Sequence, residues 1–328
     1  MKRALILIFI FVFVPFMAVS TAWLWMGTKV VNPGPSASDV RIIVKPGFGV
    51  SQIASQLQQA GVIDSPLVFK LRARLTNAHK TLKAGEYNFP AHISIGAALQ
   101  LLKSGNTVVR KLTIPEGLYV SSAIDLVLAA EGLVGDVKNI PPEGSLLPET
   151  YHYSWGDSRQ GIINRMQNDM NSLLLQLWTE RKSGTFVKSI DEVLVLSSIV
   201  EKETAIDEER AHIAGVFINR LKKGMRLQSD PTVVYAITNG LGDMGRELTR
   251  KDLTVESPFN TYRNKGLPPR PIANPGKESI MAVLAPIDTD DLYFVASGNG
   301  GHVFARTLKE HNKNVAQWRK LKRINQGQ

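Results

Sequence analysis

The 328-residue chain has no cysteine. That excludes disulfide staples, thiolate metal sites and cysteine nucleophiles, and it is compatible with an oxidising compartment. Metal-ligand spacing is also missing: the six histidines, among them His152, His212, His302 and His311, are scattered, so no metal is expected. The glycine run Gly298-Asn299-Gly300-Gly301 lacks the Gly-Lys-Ser/Thr and following helix of a phosphate loop, and no cofactor is expected either. Acidic residues are outnumbered, 29 against 39 Lys and Arg, for a net charge of +10. The basic residues form only short clusters such as Arg319, Lys320, Lys322 and Arg323, without the interleaved aromatics of single-strand binders. Nucleic acid is therefore not an expected partner, whereas anionic lipid headgroups or an acidic polymer fit the charge.

What is present is an ordinary globular balance, 44% hydrophobic and 21% charged, in a chain long enough for two folded units of roughly 100 to 200 residues each. Lys2 and Arg3 precede an uncharged apolar run from Ala4 to Met26, about the 20 residues that span a bilayer core. The positive-inside rule puts residues 1–3 in the cytoplasm and everything after Lys29 outside, with Trp23 and Trp25 at the outer interface. Small residues at Ala18, Ser20 and Ala22 would also suit a cleaved signal, but the run exceeds the usual apolar length of about 7 to 15. Residues 27–39 are rich in Pro, Gly, Ser and Asn and read as a linker.

Folded structure is expected from Val40. Val40 to Val44 reads as a strand, Lys45-Pro46-Gly47 as a turn, and Ser51 as the start of an amphipathic helix through Ile53, Leu57 and Ala60, stopped at Gly61. The phrase returns at Ile114-Pro115-Glu116-Gly117 with Ser121 in the place of Ser51, suggesting a duplicated module. Between them lie a strand, Ala84 to Phe89, and a helix capped by Ser94 and ended at Gly105. Residues 40–110 resemble a LysM-like α+β module, and 111–328 form the expected catalytic domain.

Four segments carry the chemistry. In the first, Ser189 to Thr204, Ser189 and Glu192 form a capping box, and the following helix is apolar nearly all round, as in a buried helix. Glu201 and Glu203 end it. Two residues apart, they project about 200° from each other and cannot serve one site together. Both fall on apolar stripes that would raise a carboxyl pKa, so periodicity leaves open which one acts and whether both are ion-paired with Arg210, Arg220 or Lys202. The second segment, Phe217-Ile218-Asn219-Arg220-Leu221 and then Gln228-Ser229-Asp230-Pro231-Thr232, presents polar groups suited to sugar hydroxyls and N-acetyl amides, though Asp230-Pro231 is also a plain helix start. The third, Asn260-Thr261-Tyr262 with Gly266-Leu267-Pro268-Pro269, lies in a Pro, Gly and Asn-rich stretch from Asp230 to Gly276 that reads as ordered walls, where Tyr262 could stack on a pyranose. The fourth is the strand Tyr293 to Ala296 leading to Gly301-His302-Val303-Phe304. The basic stretch Leu308 to Ile324 reads as a helix with a solvated face.

Together these segments, with Leu147-Pro148-Glu149-Thr150-Tyr151, resemble the YceG/MltG family of endolytic murein transglycosylases over nearly the whole chain. The resemblance implies an α+β architecture of N-terminal transmembrane helix, LysM-like module and catalytic domain with a lysozyme-like function. It implies Glu203 as the catalytic residue, with Glu203-Thr204 similar to the Glu-Ser pair of lysozyme-like lytic transglycosylases. Substrate contacts are expected from Glu149, Thr150, Thr204, Arg220, Gln228, Asp230, Thr232, Asn260, Tyr262 and His302. The implied partners are peptidoglycan glycan strands, inner-membrane lipid and peptidoglycan synthases of the elongation or division machinery. The implied activity is cleavage of the MurNAc-GlcNAc bond within nascent strands to 1,6-anhydro ends, terminating elongation. No second acid sits beside Glu203 in sequence, which suits a transglycosylase rather than a two-carboxylate hydrolase. Two rival readings are a non-catalytic peptidoglycan-binding scaffold and a cytosolic lyase. The apolar run Ala4 to Met26 and the lack of a recognisable cofactor-lysine context argue against the lyase.

Overall fold

The computed structural model describes residues 2–298 and 300–326, and the side chains of residues 13–324 other than Asn299. It is a mixed α+β chain in two compact units. One comprises residues 1–110 with 131–134 and 152–157; the other comprises 111–130, 135–151 and 158–328.

The first unit opens with α1 (Lys2–Val31), a 30-residue helix with no acidic residue in its first turn. Its described part bares Phe13, Phe16, Met17, Val19, Trp23 and Leu24. Among the described residues no helix is long and apolar enough to cross a membrane, and the side chains of residues 4–12 of the expected span lie outside those described. Then follow β1 (Val40–Val44), α2 (Val50–Gln59), α3 (Pro66–Leu75), β2 (Gly85–Phe89) and α4 (Ile95–Ser104). β1 and β2 pair antiparallel, with Ile42 opposite Tyr87. Their inward side chains meet Ile53 and Leu57 of α2, Phe69 of α3 and Leu102 of α4 in one buried cluster. Ser65 and Ser94 cap α3 and α4 through the amides of Val68 and Ala97. Ser51 does not cap α2: the N-cap is Gly49, two residues earlier, whose own amide is taken by Gln52 Oε1 at 2.8 Å.

The second unit is assembled around α7. Its elements are β3 (Arg110–Thr113, of which Arg110 belongs to the first unit), α5 (Val120–Ala129), β4 (Thr150–Tyr153, whose last two residues do likewise), α6 (Arg159–Glu180), α7 (Ile190–Glu203), α8 (Asp207–Lys222), α9 (Asp230–Thr238), α10 (Lys277–Leu284), β5 (Tyr293–Ala296), β6 (His302–Ala305) and α11 (Leu308–Gln326). Ser121 likewise does not cap its helix: α5 begins on Tyr119, and the amide of Val120 is taken by Glu143 Oε1 at 2.9 Å. Ser189 caps α7 as its sequence predicts, accepting from the Glu192 amide at 3.1 Å, but the Glu192 carboxylate closes on the Lys188 amide at 2.7 Å, one residue before the cap. Helices α6, α8, α9 and α10 pack against α7, and Val193, Leu196, Ile199 and Val200 are at most 1% exposed. The stretch from Asp230 is not loop throughout: α9 occupies its start, with Pro231 in the first turn where a missing amide costs nothing.

The antiparallel β5–β6 hairpin lies over α8. Phe294 stands edge-on to Phe217 of α8 at 5.7 Å, and α11 packs on both strands. Truncating Phe217, 1% exposed, to Ala is expected to cost about 3–5 kcal/mol. Urea unfolding of the variant should show a lower midpoint with an unchanged slope.

Candidate active site

The two acids at the end of α7 meet opposite environments. The Glu201 side chain is only 5% exposed and fully engaged. Its Oε2 accepts from the Gly276 amide at 2.9 Å and the Ser279 hydroxyl at 2.7 Å, both at the start of α10, while Oε1 lies 3.8 Å from Arg210 Nη2. Arg210 is buried and also bonds Asp207, Ser279 and Glu116. A positive helix end, a hydroxyl and a guanidinium thus hold this carboxylate in a structural role.

Glu203 has no ion pair among the described residues. It lies at the floor of a cleft of about 430 Å³ whose walls include Arg220, Leu227, Gln228, Asp230, Tyr262, Phe294, His302, His311 and Trp318. Burial raises its pKa from an ordinary 4.5 to about 7; the Asp230 charge adds to the rise, and the Ser229 hydroxyl and Arg220 oppose it. A carboxyl poised near neutrality can both donate and accept a proton at ambient pH.

The walls are held by bonds that commit some side chains and free others. Arg220 spends Nε on Leu292 O and Nη1 on Leu227 O, each at 2.6 Å, leaving Nη2 without a partner among the described residues. Tyr262 donates its hydroxyl to Asp230 Oδ1 at 2.6 Å, and burial with that bond pushes the phenol pKa up. His302 is clamped on Glu209: its amide binds Oε1 at 2.8 Å and its ring Nδ1 binds Oε2 at 2.7 Å. Burial works to raise the Glu209 pKa, but these two bonds outweigh it, so Glu209 lies below the ordinary range and stays a carboxylate. The bond to a carboxylate places a proton on Nδ1. Gly301 permits the approach, since a Cβ there would fall 2.6 Å from Glu209 Oε1.

A model of the YceG-like family matches residues 42–317 of this sequence. The chain belongs to that family. It is 36% identical over 310 residues to the endolytic murein transglycosylase of Bacillus subtilis (strain 168), an alignment spanning 85% of this chain and 84% of the relative. Identity to a protein of the same name from Streptococcus pneumoniae (strain D39) is 30% over 326 residues. This alignment covers 85% of the chain but 58% of that longer relative. The 2.6 Å crystal structure of a YceG-like protein from Listeria monocytogenes superposes with a TM-score of 0.52 at 33% identity, covering 85% of this chain and 99% of that one.

In this YceG-like chain, Arg220, Gln228, Asp230, Tyr262 and His302 share the Glu203 cleft. The other expected contacts do not line it. Thr232 and Asn260 are both 0% exposed. Thr232 binds Ser229 O and Thr261 Oγ1, and Asn260 ties Leu253, Val255 and Tyr262, so both are scaffold. The Thr204 hydroxyl is committed to the Ile206 amide and Glu209. Glu149 and Thr150 lie in a different part of the unit, where Thr150 meets Thr113 across 2.9 Å. The basic stretch of α11 is not merely a solvated face, because His311, Val315 and Trp318 form a wall of the cleft. Their i, i+4, i+7 spacing was the signal for it. Glu209 carried no comparable signal.

The raised Glu203 pKa has a stability consequence. Between pH 4.5 and about 7 the folded state holds a proton the unfolded state has released, so this group's contribution falls as pH rises through that window. Glu203→Gln is expected to fold and to gain on the wild type by up to about 3 kcal/mol at pH 8, with little gain at pH 4. Thermal unfolding at the two pH values checks this.

Proposed function

We propose that this chain is an endolytic peptidoglycan lytic transglycosylase with Glu203 as its single acid and base. The observation that carries the reading is the ion-pair-free Glu203 carboxyl at the floor of a sugar-sized cleft, in a chain whose relatives bear that name. Protonated Glu203 donates to O4, the oxygen linking muramic acid C1 to glucosamine C4, and the C1–O4 bond breaks. The resulting carboxylate takes the proton of the muramyl C6 hydroxyl, whose oxygen closes on C1 to form the 1,6-anhydro ring. The carboxyl ends protonated, and no water is consumed. Arg220, Gln228, Asp230, Tyr262 and His302 line the cleft as contacts for sugar hydroxyls and N-acetyl groups. Phe294 and Trp318 offer apolar surface to the pyranose faces.

The finer parts of the reading follow. Helix α1, continuous from Lys2 to Val31 and apolar on its described surface, is the anchor that leaves the bulk of the chain in the periplasm. The β1–α2–α3–β2 arrangement supports a LysM-like glycan-binding module at residues 40–110, with the catalytic domain at 111–328. Cutting nascent strands would terminate their elongation and makes the synthases natural partners.

One observation favours a second reading. Asp230, not adjacent to Glu203 in sequence, shares its cleft, and paired carboxylates are the pattern of hydrolases. Asp230 is exposed and already accepts the Tyr262 hydroxyl, which suits positioning better than water activation. Mass spectrometry of products from purified sacculi separates the two, since anhydro and reducing ends differ by one water. Wild type is expected to yield anhydro ends and Glu203→Gln none. Asp230→Asn should keep anhydro products at a rate lowered about 10-fold or less; reducing ends from the wild type would establish hydrolysis instead.

A further inference from the structure

Ser229 lies between Gln228 and Asp230, which both line the Glu203 cleft, and has no task in the reaction as written. It occupies the N-cap of α9, yet its side chain makes no capping bond. Ser65, Ser94, Ser158 and Ser189, at the same position of their own helices, all cap. The residue is 1% exposed, and Oγ is buried without a hydrogen bond of ordinary geometry among the described residues. A buried hydroxyl that forgoes its local partner costs stability and calls for an explanation.

Its backbone is clamped from both sides. The Ser229 amide donates to Thr261 Oγ1 at 3.0 Å, its carbonyl accepts from Thr232 Oγ1 at 2.6 Å, and the two threonine hydroxyls bond each other at 2.8 Å. Gln228, just before it, is held at φ 53°, left-handed and unfavourable for a residue with a Cβ. This buried threonine lattice fixes the residue where α9 packs on α7, and its hydroxyl opposes the rise of the Glu203 pKa.

We propose that Ser229 is a positioning residue whose hydroxyl is reserved for the Glu203 carboxyl, accepting a hydrogen bond from the acid and donating one to the carboxylate. The inference rests on Glu203 acting as both acid and base. Such a carboxyl inverts its hydrogen-bonding character within each turnover, and a hydroxyl can follow because it is donor and acceptor at once; an ammonium can only donate. The other charged or titratable groups around the cleft are Arg220, and Glu209 behind His302, from α8; Asp230 from α9; Tyr262 from its loop; His302 from β6; and His311 from α11. None of them is a hydroxyl free of other duties, because Tyr262 is spent on Asp230.

The test compares full-length wild type, Ser229→Ala and Ser229→Cys in detergent, with Glu203→Gln as control. The Glu203 carboxyl is titrated by 13C NMR, and the pH profile of anhydro-end release is measured on sacculi. Because the hydroxyl favours the anion, its removal should raise the Glu203 pKa by about one unit. The alkaline limb should move up equally, while kcat falls about 10-fold and KM stays within about twofold. The cysteine variant should fall between the two, and it decides the matter if the alanine variant does not fold. An unmoved carboxyl titration together with an unmoved alkaline limb would overturn the proposal even if activity fell. Failure of the transglycosylase reading would show separately, as a wild type that releases no anhydro ends while its carboxyl titration still responds to Ser229.

Discussion

Two carboxylates at the end of a buried helix cannot both go unpaired, and the second unit is arranged around that constraint. Glu201 is satisfied in full by the start of α10 and by Arg210, which joins α7, α8 and α10 at one point. The junction is tight: a Cβ on Gly276 would fall 1.9 Å from Glu116 Oε1. With α7 anchored through one acid, the other is held by the same helix turn in a cleft where it forms no ion pair among the described residues. Of the two acids, only Glu201 is bridged among the described residues.

Around Glu203 the protein sets polarity without neutralising it. Arg220 is turned mainly onto carbonyls, so its charge is felt but forms no bridge. Glu209 is spent on His302, holding its ring rather than adding a second acid to the floor. The Asp230 charge raises the Glu203 pKa in the same direction as burial. These choices keep one proton on one carboxyl near neutral pH, the condition for a single group to act twice.

The sequence showed the buried α7, its Ser189 cap and the geometric opposition of Glu201 and Glu203 because all three depend on residues near one another in the chain. It could not show which acid was paired, since Gly276 and Ser279 come to Glu201 from far along the chain. Thr232 and Asn260 illustrate the opposite error. Polar residues in a short cluster look like a binding surface, but here the burial of their backbone required internal partners, and their side chains supply them. Asp230 was legible as a cleft residue but not as a second carboxylate beside Glu203, because that proximity is made by the packing of α9 against α7. The α11 wall was hidden by composition: a helix rich in Lys and Arg can still carry one stripe of His, Val and Trp.

That wall has a bearing on when the cleft comes into being. Glu203 lies on α7, whereas His311, Val315 and Trp318 belong to α11, and the hairpin that carries His302 lies between them in sequence. In a chain made from its N-terminus, the Glu203 carboxyl leaves the ribosome long before the side chains that shelter it. Until α11 docks on β5 and β6, the cleft lacks one of its walls. The full enclosure of that carboxyl is thus among the last properties the molecule acquires as it is made.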